Sequence, residues 1–137
     1  MSCLFCDDVH RAGDVLAEDA RLWIVLHDDW AVRGHVMIVW KAHVENVADL
    51  RLDDWLHFAA THHRVERALL DATGAGRAVI LKLGIATPHL HVHLYPVAAT
   101  LDRAAVMAIV DARVRVPRDG ALVADLRRRL DSLAPAE

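Results

Sequence analysis

Apolar residues recur along the first third of the chain in two runs that predict β-strands. One run is Leu22–Leu26, and the second covers His35–Lys41. Short apolar runs bounded by polar and turn-forming residues are typical of buried strands. Arg33 and Gly34 predict a turn between the two runs, and the short connection favours antiparallel neighbours. The polar segment 13–19, which precedes both runs, is predicted to form a turn.

The period of the pattern then changes from strand to helix. Apolar positions at three- and four-residue spacing predict one long helix over Leu52–Ala72, and Gly74 is a suitable stop. Ala78–Leu81 predicts a third strand, and a loop leads into a fourth strand over His89–Pro96. The predicted order is therefore strand, strand, long helix, strand, strand.

Two further helices are predicted after the fourth strand. One covers Asp102–Ala112, which is rich in alanine and aliphatic residues. The last is marked by leucines at three- and four-residue intervals, namely Leu122, Leu126, Leu130 and Leu133. Because strands and helices are segregated, the pattern predicts an α+β fold with a mainly antiparallel sheet.

The fourth predicted strand carries histidines at every second position, His89, His91 and His93. Side chains of an extended strand alternate between two faces, so these imidazoles share one face and apolar residues occupy the other. Neighbouring rings would be attached about 7 Å apart, at roughly 3.3 Å per residue. Histidine suits an apolar core poorly, because both ring nitrogens need partners. The pattern therefore predicts that the rings contact one phosphate-sized group or one metal ion.

Two kinds of chemistry suit three such imidazoles. They bind a zinc or iron ion that keeps an open position for water, which would make a metal-dependent hydrolase. Alternatively, one ring attacks phosphorus while its neighbours hold the phosphate oxygens. A nucleophilic ring must be neutral at the attacking nitrogen, with its other nitrogen donating to a carbonyl. His91 is the natural nucleophile, since it alone has a histidine on either side.

Length and composition limit the class of protein. A chain of 137 residues fits one domain, expected over 1–137, and buries a sizeable core without disulfides. Its hydrophobic share of 55% is high for a soluble monomer and favours an oligomer. No segment reaches the roughly 18 apolar residues of a membrane span, and the opening lacks the pattern of a signal peptide. A cytoplasmic location is the resulting expectation.

The charge distribution does not suggest a nucleic-acid-binding protein. The formal net charge is −3, from 16 basic and 19 acidic residues, so no general nucleic-acid-binding surface is expected. A basic group, Arg113, Arg115 and Arg118, is interleaved with valines. It is predicted to be one solvated face of an extended segment, and this face is also able to touch an anionic ligand.

Cys3 and Cys6 form a single Cys-x-x-Cys pair. In a reducing compartment this spacing indicates a metal knuckle or a redox pair more often than a structural disulfide. A redox pair is expected between a strand and a helix, whereas this pair precedes the first predicted strand. A tetrahedral zinc site would need two more ligands, and histidines from elsewhere in the chain are the expected ones.

Several blocks together resemble the histidine triad (HIT) family. His89–Tyr95 resembles the family signature of histidines separated by apolar residues, and Cys3–Cys6 is similar to the N-terminal knuckle common in bacterial members. Gly34–Val39 and Lys41–Val44 are similar to the family's Gly-His strand and to the histidine that follows it. The spacing of the blocks also fits, so the resemblance covers most of the chain.

The resemblance implies a fold and an activity. The implied fold is α+β, with a five-stranded sheet that joins its copy across a homodimer. The implied reaction is hydrolysis or transfer at the α-phosphate of a nucleotide, through a covalent nucleotidyl-histidine. By position in the signature, His91 would be the nucleophile and His93 would bind the phosphate or the leaving-group oxygen. His89 would orient its neighbours or bind metal.

The resemblance also implies a structural zinc ion. In zinc-containing relatives the two knuckle cysteines bind the ion together with a histidine after the second strand and the first histidine of the signature. The corresponding ligands in this chain are Cys3, Cys6, His43 and His89. Such a site would pin the N-terminal residues against the catalytic strand.

Some positions depart from the family pattern. Gly84–Pro88 stands where many nucleotide hydrolases of the family have a Gly-Gln-Ser-like stretch, and Val97 stands where an arginine is frequent. These departures leave open a nucleotide-binding protein with little or no turnover. Asp28 is the candidate for holding the ribose hydroxyls, with His27 in an equally suitable register. The blocks are most similar to a divergent branch resembling diadenosine polyphosphate hydrolases, so the expected substrate is a purine nucleotide or dinucleoside polyphosphate.

Overall fold

The computed structural model describes residues 3–131, and at its centre lies a five-stranded antiparallel sheet. The strands, in chain order, are β1 Gly13–Glu18, β2 Leu22–His27, β3 Val36–Trp40, β4 Arg77–Leu81 and β5 His91–Val97. Across the sheet they are arranged β1-β2-β3-β5-β4, and every neighbouring pair is antiparallel. The predicted α+β fold and the antiparallel pairing of β2 with β3 are confirmed.

Four α-helices accompany the sheet within residues 3–131: α1 Leu4–Asp8, α2 Leu52–Thr73, α3 Arg103–Val110 and α4 Gly120–Asp131. Gly74 ends α2 in the left-handed conformation, with φ of 73°, as a stop signal requires. Asp102 caps α3 by accepting a hydrogen bond from the backbone N–H of Ala105 at 2.9 Å. The predicted Leu133 position of α4 lies outside the described residues. None of these helices is long and apolar enough to cross a membrane.

The edge strand β1 lies where the sequence pattern predicts a turn, so that prediction is wrong. Among its six residues only Gly13 and Leu16 are buried, and a register shift between Val15 and Ala17 interrupts the pairing. A short, half-exposed edge strand therefore lacks the clear period-two signal. Gly13 is required where it lies, because a Cβ there would meet the carbonyl oxygen of Leu26 at 1.9 Å.

The two faces of the sheet are covered differently. Helices α2 and α4 pack on one face and close the main core, with Phe58, Leu69, Leu122 and Leu126 among the buried side chains. On the opposite face α1 covers one end through Phe5, and α3 covers the other end through Ile109. The strip between α1 and α3 carries histidine side chains, and it is this strip that positions the site.

The first histidine of the signature lies outside the strand. Because β5 begins at His91, the prediction that all three histidines belong to one strand is wrong for His89. The backbone before β5 pairs with the loop after β3: the Leu90 N–H donates to the Val44 carbonyl at 2.7 Å, and the Trp40 N–H donates to the Leu90 carbonyl at 3.1 Å. His89 is thereby separated from the other two histidines.

Candidate active site and metal centre

His91 and His93 lie side by side on β5, with ring centroids 5.2 Å apart. His91 is only 8% exposed, and His93 is partly exposed. Both rings border a cavity of about 500 Å³. Its other walls include Leu4, Phe5, Asp28, Met37 and the loop 83–87.

The hydrogen bond of His91 fixes which of its nitrogens is free. Nδ1 of His91 lies 2.6 Å from the backbone carbonyl oxygen of His89. A carbonyl only accepts, so Nδ1 carries the proton and Nε2 keeps its lone pair. Burial lowers the pKa of His91, and the charge of neighbouring groups adds to the effect. The ring is therefore neutral at physiological pH and has the tautomer that a nucleophilic histidine needs.

His93 is hydrogen-bonded to His35, the residue before β3. Their Nδ1 and Nε2 atoms, respectively, lie 2.9 Å apart. His35 Nδ1 is buried and has no hydrogen-bond partner among residues 3–131. A proton there would leave a buried donor unsatisfied, at a cost of about 1 to 3 kcal/mol. The favoured tautomer therefore has His35 donating from Nε2 to His93, so that His93 carries its own proton on Nε2 as a donor.

Both rings of this pair stay neutral over the physiological range. Burial is the main cause that lowers the pKa of His35 to about 2, and the charges of His27 and His93 add to it. Burial likewise lowers the pKa of His93 to about 3, with further contributions from His91 and His27. A neutral donor at His93 contacts phosphate oxygens without a buried positive charge.

His35 is a site residue whose chemical role was not predicted from the sequence. Its ring is stacked between His27, at a centroid distance of 4.4 Å, and Tyr95, at 4.2 Å. The side chain is 3% exposed. The Gly34-His35 pair at the start of a strand was the only hint of this role in the sequence. The partner of His35 is His93, which lies 58 residues further along the chain and comes close only because β3 pairs with β5. We name His27, His35 and His93 the three-histidine cluster.

A second group of side chains lies beside His91, at the end covered by α1. It brings together the four residues that the resemblance implies as metal ligands, here named the cysteine–histidine cluster: Cys3, Cys6, His43 and His89. Cys3 begins α1 as its N-cap residue, and Cys6 lies within the helix. His89 Nδ1 lies 3.4 Å from each sulfur and 3.2 Å from His43 Nδ1, and Cys6 Sγ lies 3.2 Å from His43 Nδ1.

These distances and the donor set fit one tetrahedral metal ion. Zinc bonds of about 2.0 to 2.3 Å give a tetrahedron whose edges are roughly 3.3 to 3.8 Å, close to the separations in the cluster. His89 Nε2 donates to the Trp40 carbonyl at 2.5 Å, which leaves Nδ1 with its lone pair toward the sulfurs. Metal-binding histidines typically donate their other nitrogen in this way. Cys3 and Cys6 are free thiols, as a metal site requires.

Asp28 and His27 differ in their freedom to bind a ligand. Asp28 lines the cavity of about 500 Å³ and is exposed, with a distant ion pair to Arg118 at 3.8 Å. His27 also lines it, but its Nδ1 lies 2.9 Å from the carbonyl oxygen of Asp29 and 3.2 Å from that residue's backbone nitrogen. The local backbone therefore engages one nitrogen of His27, whereas the exposed carboxylate of Asp28 has only the loose ion pair with Arg118 among residues 3–131.

The arginines after α3 lie exposed on an extended segment, as predicted, and two of them form ion pairs at the edge of the site. Arg115 pairs with Asp29 at 2.8 Å, and Arg118 pairs with Asp14 at 3.0 Å. Arg118 also donates to the carbonyl oxygen of His27 at 3.2 Å. The segment thus crosses the edge of the site, and only Arg113 points to a purely local partner, Asp111.

The fold and the site define an α+β protein with paired neutral imidazoles over a cavity and a Cys₂His₂ cluster beside them. The family model described as the HIT domain matches residues 10–100, well over half of the chain. The chain therefore belongs to the HIT domain family. No curated protein matches the chain.

Solved structures of this family share the fold over nearly the whole chain. A zinc-bound histidine triad family protein from Mycobacterium smegmatis is 24% identical, with a TM-score of 0.70 over 97% of this chain and 96% of that one. A histidine triad protein from Sinorhizobium meliloti is 20% identical, with a TM-score of 0.74 over 90% and 91%. A HIT family hydrolase from Clostridium thermocellum is 22% identical, with a TM-score of 0.57 over 74% and 96%. At these identities the likeness establishes the fold.

Proposed function

We propose that the protein hydrolyses or transfers a nucleotide at its α-phosphate, through a covalent nucleotidyl intermediate on His91. The observation that carries this proposal is the tautomer of His91: its Nδ1–H is bound to the His89 carbonyl at 2.6 Å, so its Nε2 lone pair is free beside the cavity. Membership of the HIT domain family, which includes a hydrolase among its solved structures, supports the same reaction class.

The reaction proceeds in two steps. The Nε2 lone pair of His91 forms a bond to the α-phosphorus while the bond from phosphorus to the leaving group breaks, and its electron pair stays on the leaving atom. His93 donates a hydrogen bond from Nε2 to the developing negative charge. In the second step water attacks the phosphorus, the phosphorus–nitrogen electrons return to His91, and the water proton passes to solvent. When the acceptor is another nucleophile, the same intermediate gives transfer.

His35 supports this chemistry without touching the substrate. By donating to His93 Nδ1 at 2.9 Å it holds the proton of His93 on Nε2, where the phosphate lies. The stack of His27, His35 and Tyr95 keeps the orientation of that hydrogen bond. We therefore assign His35 a positioning role.

The nucleotide is proposed to be a purine nucleotide or a dinucleoside polyphosphate. Its nucleoside would lie in the cavity of about 500 Å³, where Leu4 and Phe5 offer apolar contacts to a base and Asp28 offers a carboxylate to the ribose hydroxyls. Asp28 is preferred to His27, because the backbone of Asp29 already engages the Nδ1 of His27. His89 also takes part in the catalytic site. Its backbone carbonyl accepts the hydrogen bond that orients His91.

We further propose that the cysteine–histidine cluster binds a structural zinc ion. Two thiolates and two imidazoles leave no open position for water, so the ion would supply rigidity and no reaction step. It would hold α1, and with it Phe5, against the start of β5. The zinc-bound family structure from Mycobacterium smegmatis supports the metal identity.

A homodimer in the cytoplasm is the proposed state of the protein. β4 is an edge strand, and Ile80 on it is exposed together with Leu52 and Leu56 of α2. An unpaired edge beside exposed apolar side chains is suited to pairing with a second copy, which would extend the sheet.

The experiment is detection of the intermediate by intact-mass spectrometry after mixing with adenosine 5′-phosphoramidate. We expect one nucleotidyl adduct on the wild-type chain, located at His91 by peptide mapping, and none on His91→Ala. The matched control is His62→Ala, which removes a histidine that pairs with Glu66 on α2 and should keep both adduct and turnover. Unchanged hydrolysis by His91→Ala with no adduct on the wild type would contradict the proposal.

A second candidate function is nucleotide binding with little turnover. It is favoured by the loop 83–87, where Thr87 is the one side chain with a polar group for a phosphate between Leu83 and Thr87. The same protein preparations test it. Tight binding of AMP, together with no adduct and no product from adenosine 5′-phosphoramidate, would favour the binding protein. A hydrolase that uses all three signature histidines as metal ligands is disfavoured, because His89 is directed to the cysteines.

A further inference from the structure

The two cysteines of the chain lie at the start of α1 with their sulfurs close together. Cys3 is the N-cap residue of this helix, and Cys6 follows about one turn later. The ligand atoms of the cysteine–histidine cluster, both sulfurs included, lie within 4.8 Å of one another. A disulfide needs a sulfur–sulfur bond of about 2.05 Å and Cα atoms about 4.4 to 6.8 Å apart, and residues three apart in a helix meet the second condition. Rotation of the two side chains is therefore enough to join the sulfurs.

The two sulfurs differ in their access to solvent. Cys6 is exposed, whereas Cys3 is half-buried. His43 is exposed as well, and its Nδ1 lies 3.2 Å from the Cys6 sulfur, so the cluster is open to solvent on that side. An accessible cysteine beside a second cysteine is the arrangement of redox-sensing pairs. An oxidant in solution therefore reaches Cys6 first, and Cys3 is placed to react with the oxidised Cys6.

Oxidation of the pair and release of a zinc ion are chemically coupled. Both sulfurs are thiolates when they bind zinc, and the thiolate is the reactive form of cysteine. Zinc has no redox chemistry of its own, so the electrons come from sulfur. A disulfide has no thiolate charge left to offer, and it leaves His43 and His89 as two ligands where a structural site needs four.

We propose that Cys3 and Cys6 are a site of reversible oxidation by hydrogen peroxide, and that the disulfide they form releases the zinc ion. In the first step the Cys6 thiolate attacks one peroxide oxygen, the oxygen–oxygen bond breaks, and a sulfenic acid and a hydroxide ion result. In the second step the Cys3 thiolate attacks the Cys6 sulfur, the sulfur–oxygen bond breaks, and a second hydroxide leaves. The two sulfurs lose two electrons and the peroxide gains them. This inference rests on the zinc site that forms part of the proposed function.

The oxidised protein should keep α1 in place but lose one support of His89. Phe5 of α1 is 3% exposed and packs in an apolar cluster with side chains of β2 and β3, and these contacts need no metal. His89 keeps its hydrogen bond to the Trp40 carbonyl, whereas its Nδ1 loses the ion. The backbone carbonyl of His89 is the group that orients His91. Oxidation of the cysteines should therefore slow the reaction at His91 without altering His91 itself.

The test treats the zinc-loaded protein with hydrogen peroxide and follows three quantities. A chromogenic chelator measures released zinc, intact mass after alkylation of free thiols measures the disulfide, and adenosine 5′-phosphoramidate measures the rate of adduct formation on His91. We expect one zinc ion released per disulfide, at the same rate, and adduct formation slowed by about tenfold or more. Dithiothreitol followed by zinc should restore the adduct rate, and zinc alone should not. After removal of the metal by a chelator, zinc alone should suffice.

Two variants assign these effects to the thiols. Met37→Leu removes another oxidisable side chain, which borders the cavity of about 500 Å³ beside His91. Peroxide should slow its adduct formation by the same factor as that of the wild type. Cys3→Ser removes the resolving thiol, so peroxide should produce no disulfide and leave on Cys6 a sulfenic acid that dimedone labels.

The outcomes separate the inference from the reaction on which its last readout depends. It is overturned if both thiols still react with the alkylating reagent while methionine is oxidised, if the disulfide forms and zinc stays bound, or if the protein takes up no zinc at all. An adduct rate that peroxide changes in the wild type but not in Met37→Leu would assign the effect to Met37 and overturn the link to His91. When the reduced, zinc-loaded protein forms no adduct, the proposed reaction fails, whereas coupled disulfide formation and zinc release still support the oxidation site.

Discussion

Two clusters of side chains with metal-binding capacity lie on either side of His91, and they differ in what their atoms are free to do. Within residues 3–131 they are the cysteine–histidine cluster and the three-histidine cluster, and in each the ligand atoms lie within 4.8 Å of one another. In the first, His89 donates one nitrogen outward to the Trp40 carbonyl and directs the other toward two thiols. Lone pairs therefore converge on one point.

In the three-histidine cluster, ring nitrogens of two histidines hydrogen-bond to each other. His35 and His93 share a hydrogen bond of 2.9 Å, and His27 is stacked on His35 with planes 15° apart. Ring planes stacked in parallel direct their lone pairs past each other, so one ion does not satisfy both. The direction of lone pairs, and not the closeness of ligand atoms, therefore separates a metal centre from a cluster that positions a proton.

The largest effect is expected from breaking the cysteine–histidine cluster. Cys6→Ser replaces a thiolate with a hydroxyl that stays protonated at neutral pH, so the bound metal should fall from one ion per chain to nearly none. The free energy of unfolding should fall by more than about 4 kcal/mol, because metal binding is coupled to folding. Elemental analysis and urea unfolding measure the two quantities.

The control for that experiment lies in the other cluster. His27→Ala should keep one ion per chain, since the three-histidine cluster is not expected to hold metal. A His27→Ala protein that has lost its metal, or a Cys6→Ser protein that retains it, would break the distinction between the clusters.

The next effect is expected on the rate of nucleotidyl transfer to His91. His93→Ala removes the hydrogen-bond donor at the leaving group and should slow adduct formation by about a hundredfold to a thousandfold. His93→Gln keeps an N–H donor and should recover part of that loss. Quenched-flow mass spectrometry gives both rates, and metal content should be unchanged in both variants. Equal rates for wild type and His93→Ala would remove His93 from the mechanism.

The parts of the fold that the sequence predicts are those with strong local periodicity. β2, β3 and α2 have apolar runs or stripes long enough to exceed local noise, and Gly74 ends α2 as predicted. β1 was not predicted from the sequence, because only two of its six residues are buried and its pairing is irregular. A signal averaged over so few positions does not distinguish an edge strand from a turn.

The candidate site divides in the same way. The spacing of Cys3, Cys6, His43 and His89 carries a family pattern, so their assembly could be anticipated from the sequence. The bond between His35 and His93, and the pairing of Arg115 with Asp29, join residues 58 and 86 positions apart. Such partners are set by sheet register and by the path of the segment after α3, which no local pattern encodes.

A smaller effect is expected from lowering the pH. It changes the free energy of unfolding through the three-histidine cluster. An unfolded histidine has a pKa near 6.5, whereas burial lowers the pKa of His35 to about 2. As the pH falls below about 6.5 the unfolded chain binds a proton that the folded chain refuses, so stability is full above that pH and is lost below it. The slope for one such group is about 1.4 kcal/mol per pH unit.

His35→Phe removes this titrating group while keeping an aromatic ring in the stack. Between pH 6 and pH 4, its unfolding free energy should fall less steeply than that of the wild type, by about one proton's slope. Urea unfolding of both proteins at several pH values, with the metal site saturated, provides the measurement. Parallel curves would mean that His35 does not remain neutral in the fold.

The smallest effect is expected at Phe5, the residue that joins the two regions. Its ring contacts His89 at a centroid distance of 5.4 Å and His91 at 4.8 Å, so within residues 3–131 it is one of two links from the metal cluster to the nucleophile. The other link is the bond from His91 Nδ1 to the His89 carbonyl. Phe5→Leu leaves that bond in place and should cost about 1 to 1.5 kcal/mol of stability.

Adduct formation in Phe5→Leu should then slow by only about twofold to fivefold, with one metal ion retained per chain. Chelation separates the two links. If the bond from His91 to the His89 carbonyl is the principal link, removing the metal slows adduct formation in Phe5→Leu by the same factor as in the wild type. The reason is that His89 still moves when its ion is lost. If Phe5→Leu abolishes the response to chelation, the metal acts on His91 through α1 and the aromatic contact, and the backbone bond is not the path.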